Sequence, residues 1–372
     1  MDGMLYFSFL CSQYGMPAIA LNTADGIVVG SFAKQNRHMK ASSSLSAFHL
    51  IAGLSPTDPI ATAALQQLQL TPDHETEGEG EGEQKEVAFS AYGESFTASQ
   101  LRSLFSKELF TTAAAKDMEA AFLPAILSVP NYFNDHQKVA AVESARMGGL
   151  NIIYAIPDAL SSVLGMYERG DCELVGQYVV VDVGGCLTQF SVIDCKAVDE
   201  EPTLIAEKTI FTGSDAINDI IAKFVNEKFQ ADTGINLLQD NMAKQRLYDA
   251  IESLKMDLSS SMSSTLNVPY ITADAQGQPK HLEIDLSRAT FENLISAHTD
   301  MFAKPMQELL ADASIVDPST QMKGQIVVGG GSRVPIVLKT LTAIFGEATT
   351  TLCANEPEDI NVLGAAQYPK HY

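Results

Sequence analysis

The stretch VVVDVGGCLTQFSVI, residues 179–193, places an acid and two glycines inside a run that otherwise favours a buried β-strand. The charge of Asp182 and the missing side chains of Gly184 and Gly185 each weaken a strand. A hairpin whose backbone closely approaches an anion such as phosphate would explain both features, because glycine leaves room for the ligand. An ordinary turn between two strands is the alternative, and this stretch alone does not decide between them.

A second glycine-rich turn lies in QIVVGGGSRVPIVLKTLTAIF, residues 325–345. A β-branched strand leads into Gly329–Gly331, which are followed by Ser332, Arg333 and a helix with Pro335 in its first turn. Backbone N–H groups and the positive end of a helix dipole meet at such a turn and favour an anion. The turn is neither a Walker A motif nor GxGxxG, so it predicts a nucleotide or anion site of another type.

Three polar residues share one face of a predicted helix between these turns. In NMAKQRLYDAIESLKMDLS, residues 241–259, apolar side chains recur at helical spacing, and Glu252, Lys255 and Ser259 fall at i, i+3 and i+7. This spacing puts the three on one side of the helix, beside the apolar stripe. They either contact a ligand together or form a solvated face with a Glu–Lys pair one turn apart.

Regular alternation of strands and helices predicts the scaffold that holds these residues. From residue 123 onward, β-rich runs such as PAILSVP and NIIYAI alternate with helical runs such as HQKVAAVESARMGGL and ALSSVLGMYERG. Elements of these lengths predict an α/β architecture in which helices cover a β-sheet. Thr97 and Ser287 are predicted helix N-caps, and LNVPYITA with HLEIDLS is a predicted hairpin.

The composition of the 372-residue chain limits its partners and its compartment. A net charge of -22 argues against nucleic acid or an anionic membrane as the main partner, because phosphate groups would be repelled. The five cysteines form no CxxC pattern, which fits reduced thiols in the cytoplasm. The opening MDGMLYFSFL lacks the basic region of a signal peptide, and no segment predicts a membrane span.

One segment stands apart in composition. Residues 71–87, TPDHETEGEGEGEQKEV, are acidic, glycine-rich and nearly without apolar side chains. Such a segment buries too little surface to offset its chain entropy, so it predicts a mobile surface loop. An acidic docking segment is the alternative.

The chain resembles the nucleotide-binding domain of the heat-shock protein 70 (DnaK-type) chaperones, in the actin and sugar-kinase superfamily. SVPNYFNDHQKVAAVESARMGGLNII is similar to the family's strand–helix–strand signature with its VPAYFND core, and VVVDVGG resembles its second phosphate loop. IESLKMDLSSS resembles its adenosine-contacting helix, and VVGGGSRVP with NEPEDINVLGAAQY resembles its closing segment. The motifs follow the family's order over roughly residues 15–368.

The resemblance implies an actin-like ATPase fold with two lobes, each built on a mixed β-sheet flanked by helices. It places lobe I at residues 1–171, with a peripheral subdomain at 17–97, and lobe II at 172–372, with a peripheral subdomain at 213–297. The family's first hairpin, which typically reads GIDLGTT, and its peptide-binding domain are expected to be missing from the sequence as given.

The resemblance also assigns roles at the phosphate end of the site. Asp182 matches the aspartate that holds magnesium through water, and Gly184 and Gly185 match backbone donors to the β- and γ-phosphates. Lys34 matches the lysine of the family's GDAAK segment, which is expected to reach the γ-phosphate and act there by its charge. Asp158 takes the place of the catalytic glutamate of the NEPTAAA segment, shorter by a methylene group.

Further roles follow at the nucleoside end and at the hinge. Glu252, Lys255 and Ser259 match the residues that contact the ribose and adenine. Arg333 resembles the guanidinium that flanks the adenine, and Glu358 aligns with the hinge aspartate near the phosphates. The positions that match the loop at the α- and β-phosphates are Gly329, Gly330, Gly331 and Ser332.

Departures from the family pattern weaken the expected catalysis. Cys186, Leu187 and Gln189 replace the family's glycine, threonine and aspartate, and Met256 replaces the arginine that stacks on adenine. Losing one preorganised donor commonly lowers the rate by a factor on the order of 10²–10³. We therefore expect ATP or ADP to bind with Mg²⁺, with weak or no hydrolysis.

The function predicted in this way is the ATP-binding domain of a divergent chaperone or co-chaperone in protein folding and the stress response. The expected partner is a J-domain protein, a nucleotide-exchange factor, another chaperone or the ribosome. The alternatives are a slow Mg²⁺-dependent ATPase and a nucleotide-free interaction scaffold, or an incomplete gene model of a longer chaperone. A sugar or glycerol kinase is disfavoured by the VPNYFND and helix signatures.

Overall fold

The computed structural model describes residues 7–8, 16, 18–23, 26–36, 44–67, 70–73, 86–91, 94–197, 199–346 and 349–371. Its strands are β1 (Phe7–Ser8), β2 (Ile19–Thr23), β3 (Gly26–Val29), β4 (Ser44–Ser46), β5 (Ala88–Ala91), β6 (Glu94–Thr97), β7 (Ala125–Val129), β8 (Ile152–Pro157), β9 (Gly176–Val183), β10 (Thr188–Cys195), β11 (Thr203–Ile210), β12 (Ser263–Ala273), β13 (Pro279–Ser287), β14 (Gly324–Val328) and β15 (Thr351–Cys353). Its helices are α1 (Gly30–Asn36), α2 (Pro59–Gln67), α3 (Ala98–Lys116), α4 (Met118–Ala121), α5 (Asp135–Met147), α6 (Asp158–Glu168), α7 (Ser214–Thr233), α8 (Asn241–Ser260), α9 (Arg288–Asp300), α10 (Ala303–Asp312), α11 (Pro318–Gln321), α12 (Pro335–Phe345) and α13 (Ile360–His371). Among the described residues, no helix is both long enough and apolar enough to cross a membrane.

Within residues 1–171, the range predicted for the first lobe and so named below, the parallel strands β1, β7 and β8 form one sheet in that order. The sheet β3-β2-β4 and the hairpin β5–β6 belong to the same half of the chain. Helix α3 begins at the predicted cap: the Thr97 side chain accepts from the Gln100 N–H, and the Gln100 side chain accepts from the Thr97 N–H. This capping box satisfies two N–H groups that a helix start otherwise leaves unpaired, so the prediction of the cap is confirmed.

Within residues 172–372, the range predicted for the second lobe and so named below, a five-stranded mixed sheet has the order β11-β10-β9-β14-β15. Strand β9 runs antiparallel to β10 and parallel to β14, and its residues from Tyr178 to Val183 are all buried. A strand covered on both faces needs such a continuous apolar run, which is why Asp182 is conspicuous in it. The predicted hairpin is β12–β13, and Ser287 caps α9 by accepting from the Thr290 N–H, as predicted.

Helix α6, in the first of these ranges, packs across α13, in the second. A Cβ atom added to Gly364 would collide with the carbonyl oxygen of Ser161, and one added to Gly165 would collide with the carbonyl oxygen of Ile360. The two helices therefore touch backbone to backbone. Their apolar side chains join the inner faces of β7, β8, β9 and β14 in one buried cluster, so the crossing connects the two central sheets.

Both ends of the predicted acidic loop are anchored, although its residues 74–85 lie outside the described residues. The Asp73 N–H donates to the Ala88 carbonyl at 2.7 Å. The Glu86 carboxylate accepts from the N–H groups of Gly53 and Ser99, both at 2.8 Å. Glu86 lies in no helix or strand, but these two backbone donors fix it to the first lobe, in contrast to the mobile loop predicted there.

Candidate functional site

The first glycine turn is the hairpin that the sequence predicted. Strands β9 and β10 pair up to the turn, and the Gly184 N–H donates to the Leu187 carbonyl at 2.9 Å. The carbonyls of Gly184 and Gly185 accept from the N–H groups of Ser214 and Asp215, both at 2.9 Å. The turn is thereby fixed against the first residues of α7.

The second glycine turn lies directly beside the first. Strand β14 runs parallel to β9 with Val328 opposite Asp182, so both turns leave the same edge of the sheet. Gly329 has a φ of 80°, and a Cβ atom there would collide with Oδ1 of Asp182. A Cβ atom on Gly331 would lie 2.6 Å from Cγ1 of Val183. Glycine is required at both positions because the two turns approach so closely.

The two turns border one cleft with a volume of about 630 Å³, which lies within the usual range for small-molecule sites. The polar face of α8 and the end of α1 form its other sides. The predicted site residues that line this cleft are Lys34, Gly185, Glu252, Lys255, Ser259, Gly330, Gly331, Ser332 and Arg333. The fold thus brings together residues from both halves of the chain.

Asp182 is only 3% exposed, at the end of β9. Its Oδ2 accepts from Nδ2 of Asn361 at 2.9 Å, whereas its Oδ1 has no hydrogen-bond partner within the described part of the chain. Burial, and after it the charge of Asp158, raise the pKa of Asp182 to about 7. An unsatisfied buried carboxylate oxygen is unfavourable, so this atom is suited to a ligand-borne water or cation.

Magnesium fits this arrangement through water and phosphate oxygens rather than through a cage of side chains. Among the described residues, no group of three or more His, Cys, Asp or Glu side chains is placed to hold a metal ion. Mg²⁺ usually keeps several waters and is bound by one or two carboxylates together with substrate phosphates. The unsatisfied Oδ1 of Asp182 meets the requirement for one such carboxylate.

Asp158 is the first residue of α6 and is held in a buried hydrogen-bond network. Its Oδ1 accepts from Oγ of Ser128 at 2.5 Å, and its Oδ2 accepts from Nε2 of Gln189 at 3.0 Å. Burial raises the pKa of Asp158, and the two hydrogen bonds and the Arg102 charge oppose that rise. Each carboxylate oxygen thus already accepts one hydrogen bond and keeps one lone pair, so the catalytic role predicted for Asp158 stays a prediction.

Lys34 and Glu252 form an ion pair at the mouth of the cleft. Nζ of Lys34 lies 2.8 Å from Oε1 of Glu252, and the two side chains are 35% and 30% exposed. The pair connects α1, in the first half of the chain, with α8, in the second. The sequence predicted a phosphate contact for Lys34 and a ribose contact for Glu252; the structure joins these two side chains to each other.

Lys255 brings a positive charge to the glycine hairpin. It is only 9% exposed, and its Nζ donates to the Ser214 carbonyl at 3.0 Å, at the start of α7. The Ser259 hydroxyl donates to the Lys255 carbonyl at 2.9 Å, so it is engaged within its own helix. Met256, beside Lys255 in sequence, lines the cleft with an apolar thioether.

Arg333 binds Glu358 in a bidentate pair. Nε of Arg333 donates to Oε2 of Glu358 at 3.0 Å, and Nη2 donates to Oε1 at 2.7 Å. Glu358 is buried, whereas Arg333 lines the cleft. A planar guanidinium held in this way by a carboxylate is fixed in orientation, so the pair ties the second glycine turn to the segment before α13.

Sequence reasoning missed part of the cleft lining. Ser214 and Asp215 at the start of α7 border it, as do Cys353 and Asn355 near β15. Oδ2 of Asp215 accepts a weak hydrogen bond from Sγ of Cys186 at 3.4 Å, which places a carboxylate beside the hairpin. The polar TGSD stretch before an apolar helical stripe indicates a helix start, but nothing local shows which turn that start faces.

Comparison with known families agrees with this geometry. A model of the family described as Hsp70 protein matches residues 12–368, a range that contains both glycine turns, α8 and the segment before α13. The mixed α/β structure with several sheets is consistent with the actin-like ATPase fold of that family. Domains of this kind are the ATPase domains of chaperones and generally bind ATP and ADP with Mg²⁺. The chain therefore belongs to the Hsp70 family.

Proposed function

We propose that this chain is the nucleotide-binding domain of a divergent chaperone or co-chaperone, and that it binds ATP and ADP with Mg²⁺ but hydrolyses ATP weakly or not at all. The observation that carries the proposal is the cleft at which the two glycine turns meet the polar face of α8. A nucleotide in that cleft would have its phosphates at the turns and its nucleoside along α8.

The phosphate end offers backbone and charge. Gly185, Gly330 and Gly331 line the cleft without side chains, so phosphate oxygens can approach the backbone. The resemblance predicts a ribose or adenine contact for Lys255; we propose a phosphate contact instead, because its Nζ lies at the start of α7 beside the hairpin. Mg²⁺ bound to the phosphates would neutralise part of their charge, and Oδ1 of Asp182 would hold it through water.

The nucleoside end is partly apolar. Met256, Val334 and Leu338 line the cleft, and a flat base can pack on an unbranched thioether and on aliphatic side chains. Ser259 and Ser260 provide hydroxyl groups nearby. This combination of apolar walls and few polar groups is typical of sites for small ligands.

The groups that a fast phosphoryl transfer needs have other partners. Leu187 is buried among the apolar side chains of the first lobe's core, so no hydroxyl is available there. The Gln189 carboxamide and the Asp158 carboxylate bind each other, and Lys34 is paired with Glu252. Catalysis of phosphoryl transfer is mostly positioning plus electrostatic stabilisation, so diverting these groups supports weak turnover.

Lys255→Met is expected to weaken ATP binding about tenfold or more, because a charge-assisted contact to phosphate contributes about 1.5–3 kcal/mol. Isothermal titration calorimetry with Mg²⁺ and ATP measures the loss directly. Lys304→Met is the matched control, because the Lys304 side chain is 84% exposed on α10, and its affinity should equal that of the wild type. No detectable binding to the wild-type chain would contradict the proposal and favour a nucleotide-free scaffold.

Lys34→Ala and Glu252→Ala are each expected to speed nucleotide release about two- to fivefold, since a partly exposed ion pair contributes up to about 1 kcal/mol. Stopped-flow displacement of a fluorescent ATP analogue measures this rate. The double variant should release no faster than either single one, because all three lack the same pair. If Lys34→Ala alone lowers the residual single-turnover hydrolysis and leaves release unchanged, Lys34 contacts the γ-phosphate as the resemblance implies.

The proposed partners are those with which the family generally works, J-domain proteins and nucleotide-exchange factors, together with another chaperone or the ribosome. Within the described ranges Cys172, Cys186, Cys195 and Cys353 are thiols outside any disulfide, which supports a reducing compartment such as the cytoplasm. The strongly negative net charge supports protein partners over nucleic acid.

A further inference from the structure

Gln189, on β10 of the second lobe, makes both of its side-chain hydrogen bonds with the first lobe. Its Oε1 accepts from the Asn131 N–H at 2.7 Å, and its Nε2 donates to Oδ2 of Asp158 at 3.0 Å. Asn131 follows β7, and Asp158 begins α6. All three residues are buried, with Gln189 only 1% exposed. The donor and the acceptor of one carboxamide are thus used to join the two lobes.

The Asn131 side chain extends this junction. Its Nδ2 donates to Oγ of Ser191, two residues beyond Gln189 on the same face of β10, at 2.8 Å. Its Oδ1 accepts from the Ala159 N–H at 2.9 Å. Ala159 lies in the first turn of α6, where backbone N–H groups have no acceptor within the helix. Asn131 therefore connects the start of α6 with a strand of the opposite lobe.

The residue types at positions 131 and 189 decide whether the junction can form. An ionised aspartate or glutamate at position 189 accepts hydrogen bonds but donates none, and it would face the carboxylate of Asp158 across the same gap. Alanine, which the similar VPAYFND core has in place of Asn131, reaches neither Ser191 nor Ala159. The chain departs from the family pattern at both positions; Gln189 bonds the backbone N–H of residue 131, and the Asn131 side chain adds the bonds to Ser191 and Ala159.

Asn361, on α13 of the second lobe, adds one further contact between the lobes, to Ser162, and one contact within its own lobe, to Asp182. Nδ2 of Asn361 donates to Oδ2 of Asp182 on β9, and Oδ1 of Asn361 accepts from Oγ of Ser162 on α6. By contrast, the Lys34–Glu252 pair at the cleft mouth is partly exposed and can exchange its partners with water. The junction of the two lobes is therefore held by buried bonds, whereas the pair that lines the cleft is partly exposed.

We propose that Asn131, Asp158 and Gln189 form a clasp that keeps the two central sheets in one relative orientation whether or not nucleotide is bound. A buried polar network in which each group has a partner is rigid, because opening it leaves donors and acceptors unsatisfied. Nucleotide then enters and leaves through the mouth of the cleft. Its binding changes the conformation of the outer parts of the lobes and leaves the relative orientation of the two central sheets unchanged. Only the comparison with and without nucleotide rests on the proposed function, because it assumes that the cleft binds ATP and Mg²⁺.

Hydrogen–deuterium exchange of the whole chain, read at single residues, tests the clasp at two amides. The N–H groups of Asn131 and Ala159 both donate to clasp side chains. Nucleotide binding stabilises the whole folded chain and slows the exchange of all amides that exchange by global unfolding, so both amides are compared with the amides of β9. In the wild type we expect Mg²⁺ and ATP to change the exchange of both amides by no more than about twofold relative to β9. Exchange that becomes more than about tenfold faster or slower relative to β9 on adding nucleotide would overturn the proposal.

Gln189→Met and Asn131→Ala are expected to speed exchange at Ala159 about tenfold without nucleotide, because each removes contacts that hold α6 to β10. Gln325→Met is the matched control: Gln325 is equally buried, but its Nε2 donates to Thr351 within the second lobe, so Ala159 should keep its wild-type exchange rate. Wild-type exchange at Ala159 in both clasp variants would refute the clasp. If Gln189→Met fails to fold, the smaller change Asn131→Ala decides. These comparisons need no ligand, so a failure to bind ATP in calorimetry contradicts the proposed function and leaves the test of the clasp intact.

Discussion

Gly364→Ala is expected to destabilise the whole chain by about 3 kcal/mol or more, which is enough to prevent folding of a marginally stable protein. Alanine is normally favoured over glycine inside a helix by about 1 kcal/mol, so helix propensity alone predicts stabilisation. Packing makes the substitution destabilising instead, because the added Cβ atom would collide with the Ser161 carbonyl where α13 crosses α6. Backbone atoms cannot yield as a side chain does, and the two helices would have to separate.

Chemical denaturation followed by circular dichroism measures this loss, and Gly330→Ala is its control. Gly330 has an ordinary φ and open space around its Cβ position, so its replacement should leave stability unchanged within about 0.5 kcal/mol. Gly165→Ala should behave like Gly364→Ala, because its Cβ atom would meet the Ile360 carbonyl at the same crossing. Wild-type stability in Gly364→Ala would show that α6 and α13 do not touch backbone to backbone.

Local patterns predicted the secondary structure well because each element carries its own signal. The caps at Thr97 and Ser287 follow from side chains that accept a backbone N–H three residues later. The hairpin at Gly184 and Gly185 follows from a β-rich run that continues beyond two glycines. In each case the interacting groups lie a few residues apart, so the sequence window contains both partners.

The partners of the charged site residues could not be predicted in this way. Lys34 and Glu252 are 218 positions apart, and Arg333 and Glu358 are 25 positions apart. A role taken from a family motif says which ligand a side chain contacts in other members, but not which neighbour it binds in this chain. Glu252 was predicted at the ribose and Glu358 at the phosphates, and in the structure each is bonded to a cation.

The backbone contact between α6 and α13 could not be predicted from the sequence for a related reason. Gly165 and Gly364 look like ordinary helix-weakening glycines in sequence, since neither follows a turn signal. Only the crossing of α6 and α13 shows that a side chain at either position has no space. Glycine is required at these two positions because of a tertiary contact and not because of helix propensity.

Asp182→Asn is expected to flatten the pH dependence of stability of the ligand-free chain. Burial and the charge of Asp158 raise the pKa of Asp182 to about 7, from an ordinary value of 3.8. The folded state therefore binds this proton more tightly than the unfolded state does, and the protonated form contributes stability at low pH. That stability is lost as the pH rises from about 4 through about 7, and the loss is about 4 kcal/mol at most. Asparagine has no proton to release and can still accept from Asn361.

Thermal unfolding between pH 5 and pH 8.5 distinguishes this carboxylate from the others. The wild type should lose stability on the alkaline side, and Asp182→Asn should be more stable than the wild type there. Asp135→Asn is the control, because the Asp135 side chain is fully exposed on α5; its stability should depend on pH as that of the wild type does. Adding Mg²⁺ and ATP at pH 8 should stabilise the wild type, because the cation satisfies the buried Oδ1, and Asp182→Asn should gain less. If Asp182→Asn follows the wild-type pH profile, Asp182 does not carry the unpaired buried charge to which we assign the magnesium contact.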